Sequence, residues 1–197
     1  MIKHVHVVLV GRMGSGKTTL LKALENRGFS RVVSVTTRPP RPGEVDKVDY
    51  IFTDDRGFDS ALAWNDLIAV RSYDTVFGTW RYGVPLNELK INVDTVQILD
   101  LEGLMEFRDS VPNSFAVYLD ASEELCRYRA MSRGDDPDEV DRRLADDRRI
   151  FSKFDNNAKE IEQVFEMRCS SDINFSRSPQ DEADRIVSYI RTYKEQL

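Results

Sequence analysis

The chain has 197 residues, of which 41% are hydrophobic, and this suffices for one sizeable buried core. Its net charge of −6 argues against bulk nucleic-acid binding, because affinity for a phosphate backbone requires an excess of Lys and Arg. The longest apolar run, Val5 to Val10, is too short to span a membrane, and the N-terminus lacks the pattern of an export signal. We therefore expect one cytoplasmic domain that binds neither nucleic acid nor membranes.

The cysteines and the absence of repeats in the sequence do not point to a particular function. Cys126 and Cys169 lie far apart without the spacing of a zinc site or a redox pair, so we expect two small core or surface residues and no disulfide framework. No repeat or low-complexity tract divides the chain. The oligomeric state is not readable from the sequence.

Strands and helices alternate along most of the chain. Residues 5–10 predict a buried strand and residues 17–28 a helix ending at Gly28. Strands at 94–100 and 114–120 are each followed by a helix. We also expect an amphipathic helix at 151–166, a last strand at 169–175 and a last helix at 182–193. Such alternation is typical of a parallel sheet wrapped by helices.

The pattern changes between Ser34 and Pro85. Short strands broken by Gly and Asp are predicted within 49–54, 67–74 and 75–84, with one short helix near 59–65. We interpret this segment as a small, mostly β lobe inserted after the second core strand.

The strongest motif is GRMGSGKT, Gly11 to Thr18, which fits G-x-x-x-x-G-K-T between a predicted strand and a predicted helix. Its glycines let backbone N–H groups curl around a phosphate, and Lys17 reaches the outer phosphates. The Thr18 hydroxyl can bind Mg²⁺. The alternative, a glycine-rich turn, has no need of Lys-Thr after its last Gly. The motif therefore indicates a nucleoside triphosphate site.

A second motif is SVTTRPPRPGE, residues 34–44. Arg38 and Arg41 offer planar forks for phosphate oxygens, and the prolines restrict the backbone that carries them. Ser34 and Tyr50 can add hydroxyl donors. An exposed Pro-rich loop with incidental arginines is the other interpretation.

A third feature is the arginine-rich stretch 127–149, which holds seven arginines and seven acidic residues. Arg129 and Arg133 lie four apart on one helical face, and RGDDPD at 133–138 then interrupts the helix. This is the outline of a mobile lid. Arg127, Arg142 and Arg149 are better explained as members of a salt-bridged surface.

The segment 34–52 resembles the monophosphate-binding segment of guanylate kinases. The P-loop, Tyr82-Gly83, ILDLEG at 98–103 and the arginines after Arg129 follow in the family's order over most of residues 5–150. The resemblance implies an α/β P-loop kinase with a parallel sheet flanked by helices, an inserted mixed β monophosphate-binding lobe and a helical lid. In this single domain the core would comprise 1–33, 86–126 and 150–197, the lobe 34–85 and the lid 127–149.

The resemblance also implies roles for individual residues, with ATP and Mg²⁺ as cofactors and small nucleotides as the substrates. The catalytic residues would be Lys17, Arg41, Arg133 and Arg143. The ATP-binding residues would be Gly11, Gly14, Ser15, Gly16, Lys17, Thr18, Thr19 and Arg129. The monophosphate-binding residues would be Ser34, Arg38, Arg41, Tyr50, Arg71, Tyr82, Asp100 and Glu102. The metal residues would be Thr18 and Asp100.

Three of these assignments leave alternatives open. The lid is one residue shorter than the family pattern, so Arg142 and Arg148 compete with Arg143. Asp100 either contributes to metal or substrate binding or only caps the next helix. Asn174 either lies near the adenine, as a similar Asn does in the family, or forms a turn.

Base recognition departs from the family. Guanylate kinases use two carboxylates for guanine, and only Glu102, which falls where the family has an Asp, is evident. Ile68 or Arg71 takes the place of the family's Glu in the lobe. We match Tyr82-Gly83 to the family's Tyr-Gly, the alternative being Phe77-Gly78. An Arg71 in the pocket would donate to a base carbonyl, which suits thymine or uracil, or guanine read differently.

Four functions therefore compete. The leading one is ATP-dependent phosphorylation of GMP or dGMP, followed by a kinase of the same fold for another base. A P-loop kinase for a small metabolite would not need the phosphate-binding set of the lobe. A phosphoprotein-binding module of this fold would have a degraded P-loop, whereas Gly16, Lys17 and Thr18 are intact.

Overall fold

The computed structural model describes residues 4–89, 92–155, 157–170 and 178–196, and its elements alternate as predicted. The strands are β1 (His6–Gly11), β2 (Ser30–Arg31), β3 (Val35–Thr36), β4 (Ile51–Phe52), β5 (Leu67–Thr75), β6 (Gly78–Pro85), β7 (Thr95–Ile98), β8 (Ser114–Asp120) and β9 (Met167–Ser170). The helices are α1 (Lys17–Glu25), α2 (Asp55–Ala63), α3 (Leu101–Ser110), α4 (Glu123–Ser132), α5 (Pro137–Phe151), α6 (Ala158–Val164) and α7 (Pro179–Gln196).

The main sheet is parallel, with strand order β2-β7-β1-β8-β9. Strand β1 is apolar from Val7 to Val10 because helices cover both faces. Val7 and Leu9 join one core with α1 and α7, whereas Val8 and Val10 join the opposite core with α3 and α6. The predicted α/β class with a parallel sheet is therefore confirmed. In the described part of the chain, no helix has the length and apolar character needed to cross a bilayer.

The inserted lobe is a four-stranded mixed sheet in the order β4-β3-β6-β5. A register shift between Ile68 and Arg71 bends β5. The lobe is anchored to the main body, since Ala69 and Val84 are buried in the same core as Leu104 of α3. This packing brings β5 beside the first turns of α3.

The predicted lid consists of α4, a short turn and α5. Gly134 has φ +81° in the turn, and the Asp136 carboxylate caps α5 by accepting a hydrogen bond from Glu139 N. A separate core beneath these helices contains Met13 of the P-loop, Cys126 and Leu144. Both cysteines are buried and free, as expected.

The structure differs from the predictions after residue 150. The helix expected at 151–166 is a short 3₁₀ helix, Ser152–Phe154, followed by α6, whose first turn is capped by Asn157. The chain turns here because Phe151, Phe154 and Phe165 all pack around the Tyr118 ring. Strand β9 begins at Met167 rather than 169, and Asn174 lies outside the described residues.

Candidate active site

The P-loop lies between the end of β1 and the first residue of α1, Lys17. Gly16 precedes α1 with φ +100°, and no side chain caps this helix. A Cβ on Gly14 would lie 2.4 Å from the carbonyl oxygen of Cys126, so α4 packs directly against the loop. The uncapped N–H groups at the start of α1 form an anion site of the kind that binds phosphate.

Lys17 folds back onto the loop. Its Nζ donates hydrogen bonds to the carbonyl oxygens of Gly11 at 2.6 Å and Arg12 at 2.7 Å. Desolvation lowers the pKa of Lys17 to about 8, with Arg143 and Arg133 adding repulsion and Asp147 opposing it. A bound phosphate would place a negative charge beside this desolvated ammonium group and so stabilise its charged form.

The hydroxyl residues of the P-loop differ in exposure. Ser15 is buried at 1% exposure, whereas Thr18 and Thr19 lie exposed in the first turn of α1. Thr18 is thus accessible to a metal ion carried by a nucleotide.

The lid arginines separate into two groups. Arg142 forms ion pairs with Glu139 and Asp146, and Arg148 pairs with Glu123 at the surface. Within the described residues, Arg143 makes no ion pair within 4 Å, and its charge acts on both Lys17 and Arg41. The geometry thus favours Arg143 over the two alternatives. Arg127 and Arg149 pair with Asp141 and Asp146, as expected of surface residues.

Arg129 and Arg133 flank the same space from α4. Arg129 Nη1 donates to the Ser15 carbonyl at 3.2 Å, which fixes it over the P-loop. Arg133 pairs with Asp135. Burial opposes ionisation of Asp135, but Arg133, Arg41 and Arg143 together lower the pKa of this carboxyl. Asp135 therefore lies as an anion among three arginines.

The lobe presents the predicted phosphate-binding residues on one surface. Arg38 is 3% exposed, donates through Nη2 to both Glu44 oxygens at 2.8 and 2.9 Å, and stacks 5.2 Å from the Tyr50 ring centroid. The Tyr50 and Tyr82 rings are 6.1 Å apart. Ser34, at the start of β3, is half-buried, and its carbonyl accepts from Ile51 N.

Arg41 lies exposed at the end of this surface that faces the lid. Desolvation and repulsion from Arg38 and Arg143 lower the pKa of its guanidinium. We call Lys17, Arg41, Arg133 and Arg143 the cation cluster. These residues come from the P-loop, the lobe and the lid, so the cluster joins all three.

Tyr82 rather than Phe77 occupies the site. Tyr82 pairs with Thr36 and contacts Tyr50, whereas Phe77 lies at the tip of the β5–β6 hairpin and is 61% exposed. This arrangement supports the Tyr82-Gly83 match. Val84, which follows, is buried in the core.

Asp100 lies beyond Tyr82 at the start of α3. Its Oδ1 accepts a hydrogen bond from Gly103 N at 2.6 Å, which makes it the cap of α3. Its Oδ2 accepts from the Tyr73 hydroxyl. Both oxygens therefore have protein partners, and a role of Asp100 in metal binding stays a prediction.

Arg71 contacts three carboxylates at this end of the site. Its Nη1 donates to Glu106 at 2.8 Å, and its Nε lies 3.7 Å from Asp100 and 3.6 Å from Glu102. Glu102 itself is 83% exposed. Asp100 is thus the carboxylate on the inner side, and Arg71 is held by α3.

Two residues of the site escaped the sequence analysis. No motif surrounds Tyr73. Side chains alternate between the two faces of β5, so Tyr73 lies on the same face as Arg71, and this alternation is the only sequence signal for its position. Asp147, on α5, accepts a hydrogen bond from the P-loop Met13 N at 2.6 Å. Burial raises the pKa of Asp147, partly offset by Met13 N and Lys17.

Comparisons with known proteins agree with this geometry. The guanylate kinase family model matches residues 3–168. The guanylate kinase of Thermobifida fusca is 40% identical over 146 residues, 70% of this chain and 72% of that protein. The guanylate kinase of Gloeobacter violaceus is 37% identical over 144 residues, 71% of this chain and 70% of that protein.

Solved structures show the same fold. A guanylate kinase from Anaplasma phagocytophilum superposes with a TM-score of 0.66 at 24% identity, covering 96% of this chain and 86% of the other. A shikimate kinase from Acinetobacter baumannii gives 0.53 at 17% identity, covering 98% and 96%. These two likenesses concern the fold alone. Because the family model spans most of the sequence, the chain belongs to the guanylate kinase family of nucleoside monophosphate kinases.

Proposed function

We propose that this protein transfers the γ-phosphoryl group of ATP to GMP or dGMP, yielding ADP and the corresponding diphosphate. The observation that carries the proposal is the cation cluster, in which Arg143 of the lid lies close enough to act electrostatically on both Lys17 of the P-loop and Arg41 of the lobe. Desolvation is the main cause of the lowered pKa values of Lys17 and Arg41, and repulsion from Arg143 adds to both. Anionic phosphates placed between them would relieve the repulsion.

The two substrates would bind on opposite sides of the cluster. The N–H groups at the start of α1 and Lys17 would hold the phosphates of ATP. Ser34, Arg38, Tyr50 and Tyr82 would hold the phosphate of the acceptor. Glu44 fixes Arg38 from behind, so little side-chain entropy would be lost when the acceptor binds.

Transfer between the two sites needs no covalent intermediate. The acceptor oxygen would attack the γ-phosphorus in line as the bond to the ADP oxygen breaks, and Arg41, Arg133 and Arg143 would stabilise the charge on the migrating group. A lid that closes over the site would keep water from accepting the phosphoryl group.

The residues present fit a magnesium ion delivered with ATP. Mg²⁺ at such sites is held by few protein oxygens and by substrate phosphates and waters. Thr18 lies exposed in the first turn of α1, as this requires, and no cluster of three or more His, Cys, Asp or Glu suited to a metal occurs in the described ranges. When bound, the ion would neutralise phosphate charge.

Guanine suits the base end of the site better than a pyrimidine. Arg71, the residue that would donate to a pyrimidine carbonyl, is engaged by Glu106 and lies against Asp100 and Glu102. Asp100 offers the acceptor that guanine needs. Since the substrates are soluble nucleotides, we place the activity in the cytoplasm.

The test is an ADP-release assay with ATP and Mg²⁺, supplying GMP, dGMP, dTMP, dUMP, dCMP and AMP in turn. We expect turnover with GMP and dGMP and its loss in Lys17→Ala. Turnover on a pyrimidine alone would contradict the guanine assignment while keeping the kinase mechanism. Binding of monophosphates without any turnover would instead support a phosphate-binding module.

A further inference from the structure

We infer that Tyr73 is a specificity-determining residue that accepts a hydrogen bond from the 2-amino group of guanine. This inference rests on the proposed function and deepens it. It explains how guanine can be recognised although, among the described residues, Asp100 has no second carboxylate beside it on the inner side of the site.

Tyr73 lies where a base would be expected relative to the phosphate-binding residues. The Tyr82 ring contacts Tyr50 on one side, at 6.1 Å, and Tyr73 on the other, at 5.6 Å. Tyr50 in turn stacks on Arg38. Tyr73 is therefore one ring further from the phosphate end, in the direction in which the base of a bound monophosphate would extend.

The proton of Tyr73 is directed at Asp100. Its hydroxyl donates to Oδ2 of Asp100, whose other oxygen is fixed by Gly103 N at the start of α3. Burial and the neighbouring Asp100 raise the pKa of Tyr73, so the hydroxyl keeps its proton at physiological pH. A phenol has only one proton to donate. The lone pairs of the Tyr73 oxygen thus remain as acceptors.

Asp100 and Tyr73 together then match the Watson–Crick edge of guanine, which presents N1–H beside a 2-amino group. The charged Asp100 is the stronger acceptor and suits the more acidic N1–H, leaving the 2-amino group to Tyr73. The Nε of Arg71 lies 3.7 Å from Oδ1 of Asp100. Adenine lacks both donors, so the same pair would discriminate against it.

The decisive comparison is between GMP and IMP, because IMP lacks only the 2-amino group. We would measure kcat/KM with both for the wild type, Tyr73→Phe and Tyr189→Phe. Tyr189→Phe is the matched control, since it removes a hydroxyl from α7, on the other side of the main sheet. Circular dichroism and the thermal unfolding midpoint would verify folding of each variant.

We expect the wild type to prefer GMP over IMP by about tenfold or more. Tyr73→Phe should lose about tenfold on GMP and less than about twofold on IMP, so that the preference nearly disappears. Tyr189→Phe should behave as the wild type. Asp100→Asn keeps a capping oxygen but weakens the acceptor of the Tyr73 proton, so it should lose more on GMP than on IMP.

Two results would overturn the inference. If Tyr73→Phe keeps the wild-type preference for GMP over IMP, or loses activity equally on both substrates, the Tyr73 hydroxyl does not read the 2-amino group. The proposed function would remain intact in that case, provided that the wild type turns over GMP. Absence of GMP turnover in the wild type would overturn the proposed function, and the inference with it.

Discussion

The charge of the Lys17 side chain in the P-loop depends on pH. Because desolvation lowers its pKa to about 8, a large fraction of the unliganded protein carries a neutral Lys17 at pH 8.5. ATP phosphates would restore the charged form. We therefore expect binding of MgATP at pH 8.5 to take up protons.

Calorimetric titration in two buffers of different ionisation enthalpy measures this uptake. Lys17→Arg is the control, since arginine keeps its charge at this pH and should show no uptake from this position. Equal enthalpies in both buffers for the wild type would contradict the prediction.

Neighbouring arginines of the lid offer a second test. Arg143→Ala removes a member of the cation cluster, so kcat should fall about 10²–10³-fold, because charge on the migrating group loses a stabilising partner. Arg142→Ala, whose side chain pairs with Glu139 and Asp146, should change kcat less than about threefold. Steady-state kinetics with GMP measures kcat of both variants. A larger loss of kcat in Arg142→Ala than in Arg143→Ala would assign the catalytic role to Arg142 instead.

Candidate site residues can be proposed from the sequence where residues close in sequence share one chemistry. Lys17 and Thr18 follow the glycines, and Arg38 and Arg41 stand three apart, so pattern and chemistry coincide. Tyr73 and Asp147 were missed because their partners are distant. Tyr73 meets Asp100 across 27 positions, and Asp147 meets Met13 across 134.

The P-loop packs closely against its neighbouring helix α4. Gly14 has φ +72°, and an added Cβ would lie 2.4 Å from the Cys126 carbonyl oxygen. Gly14→Ala should therefore lower the free energy of unfolding by at least about 2 kcal/mol and weaken ATP binding.

Gly134→Ala is the matched control for Gly14→Ala. It has φ +81°, but nothing lies within 4 Å of an added Cβ. Gly134→Ala should therefore cost only the backbone strain, about 1 kcal/mol. Denaturant unfolding of both variants separates the two effects, and equal losses would show that the contact with α4 is unimportant.

Most elements were predictable because both faces of the parallel sheet are covered, which leaves continuous apolar strands separated by amphipathic helices. The elements after residue 150 were not predictable in this way. Three phenylalanines there converge on Tyr118, and this packing breaks the helical periodicity at 151–166 into two short elements.

At the scale of the whole molecule, the hairpin tip of the lobe lies near α5 of the lid. Arg142 and, more weakly, the backbone N–H of Val76 at the hairpin tip lower the pKa of Glu139 on α5, against the opposing effect of burial. This contact bridges the two parts that must come together around the substrates. Glu139→Ala should therefore raise KM for GMP about tenfold, because it removes the charged group that the hairpin tip faces.

Asp138→Ala is the control for this contact, since Asp138 is an exposed acidic residue of the same helical turn. Its KM should change less than about twofold. Kinetics with GMP varied at saturating ATP would test the pair. Unchanged KM in Glu139→Ala would mean that the contact does not contribute to closure.

The amino-acid sequence was sufficient to identify the phosphate chemistry and the family. Binding of phosphate relies on short segments, GRMGSGKT and the Arg38–Arg41 loop, whose geometry is set locally by glycine, proline and the helix start. The choice of Arg143 over Arg142 and Arg148, the pairing of Tyr73 with Asp100 and the contact of lobe and lid required the folded structure. Each depends on which side chains from distant elements face each other, and helix rotation and strand register set this only when the cores pack.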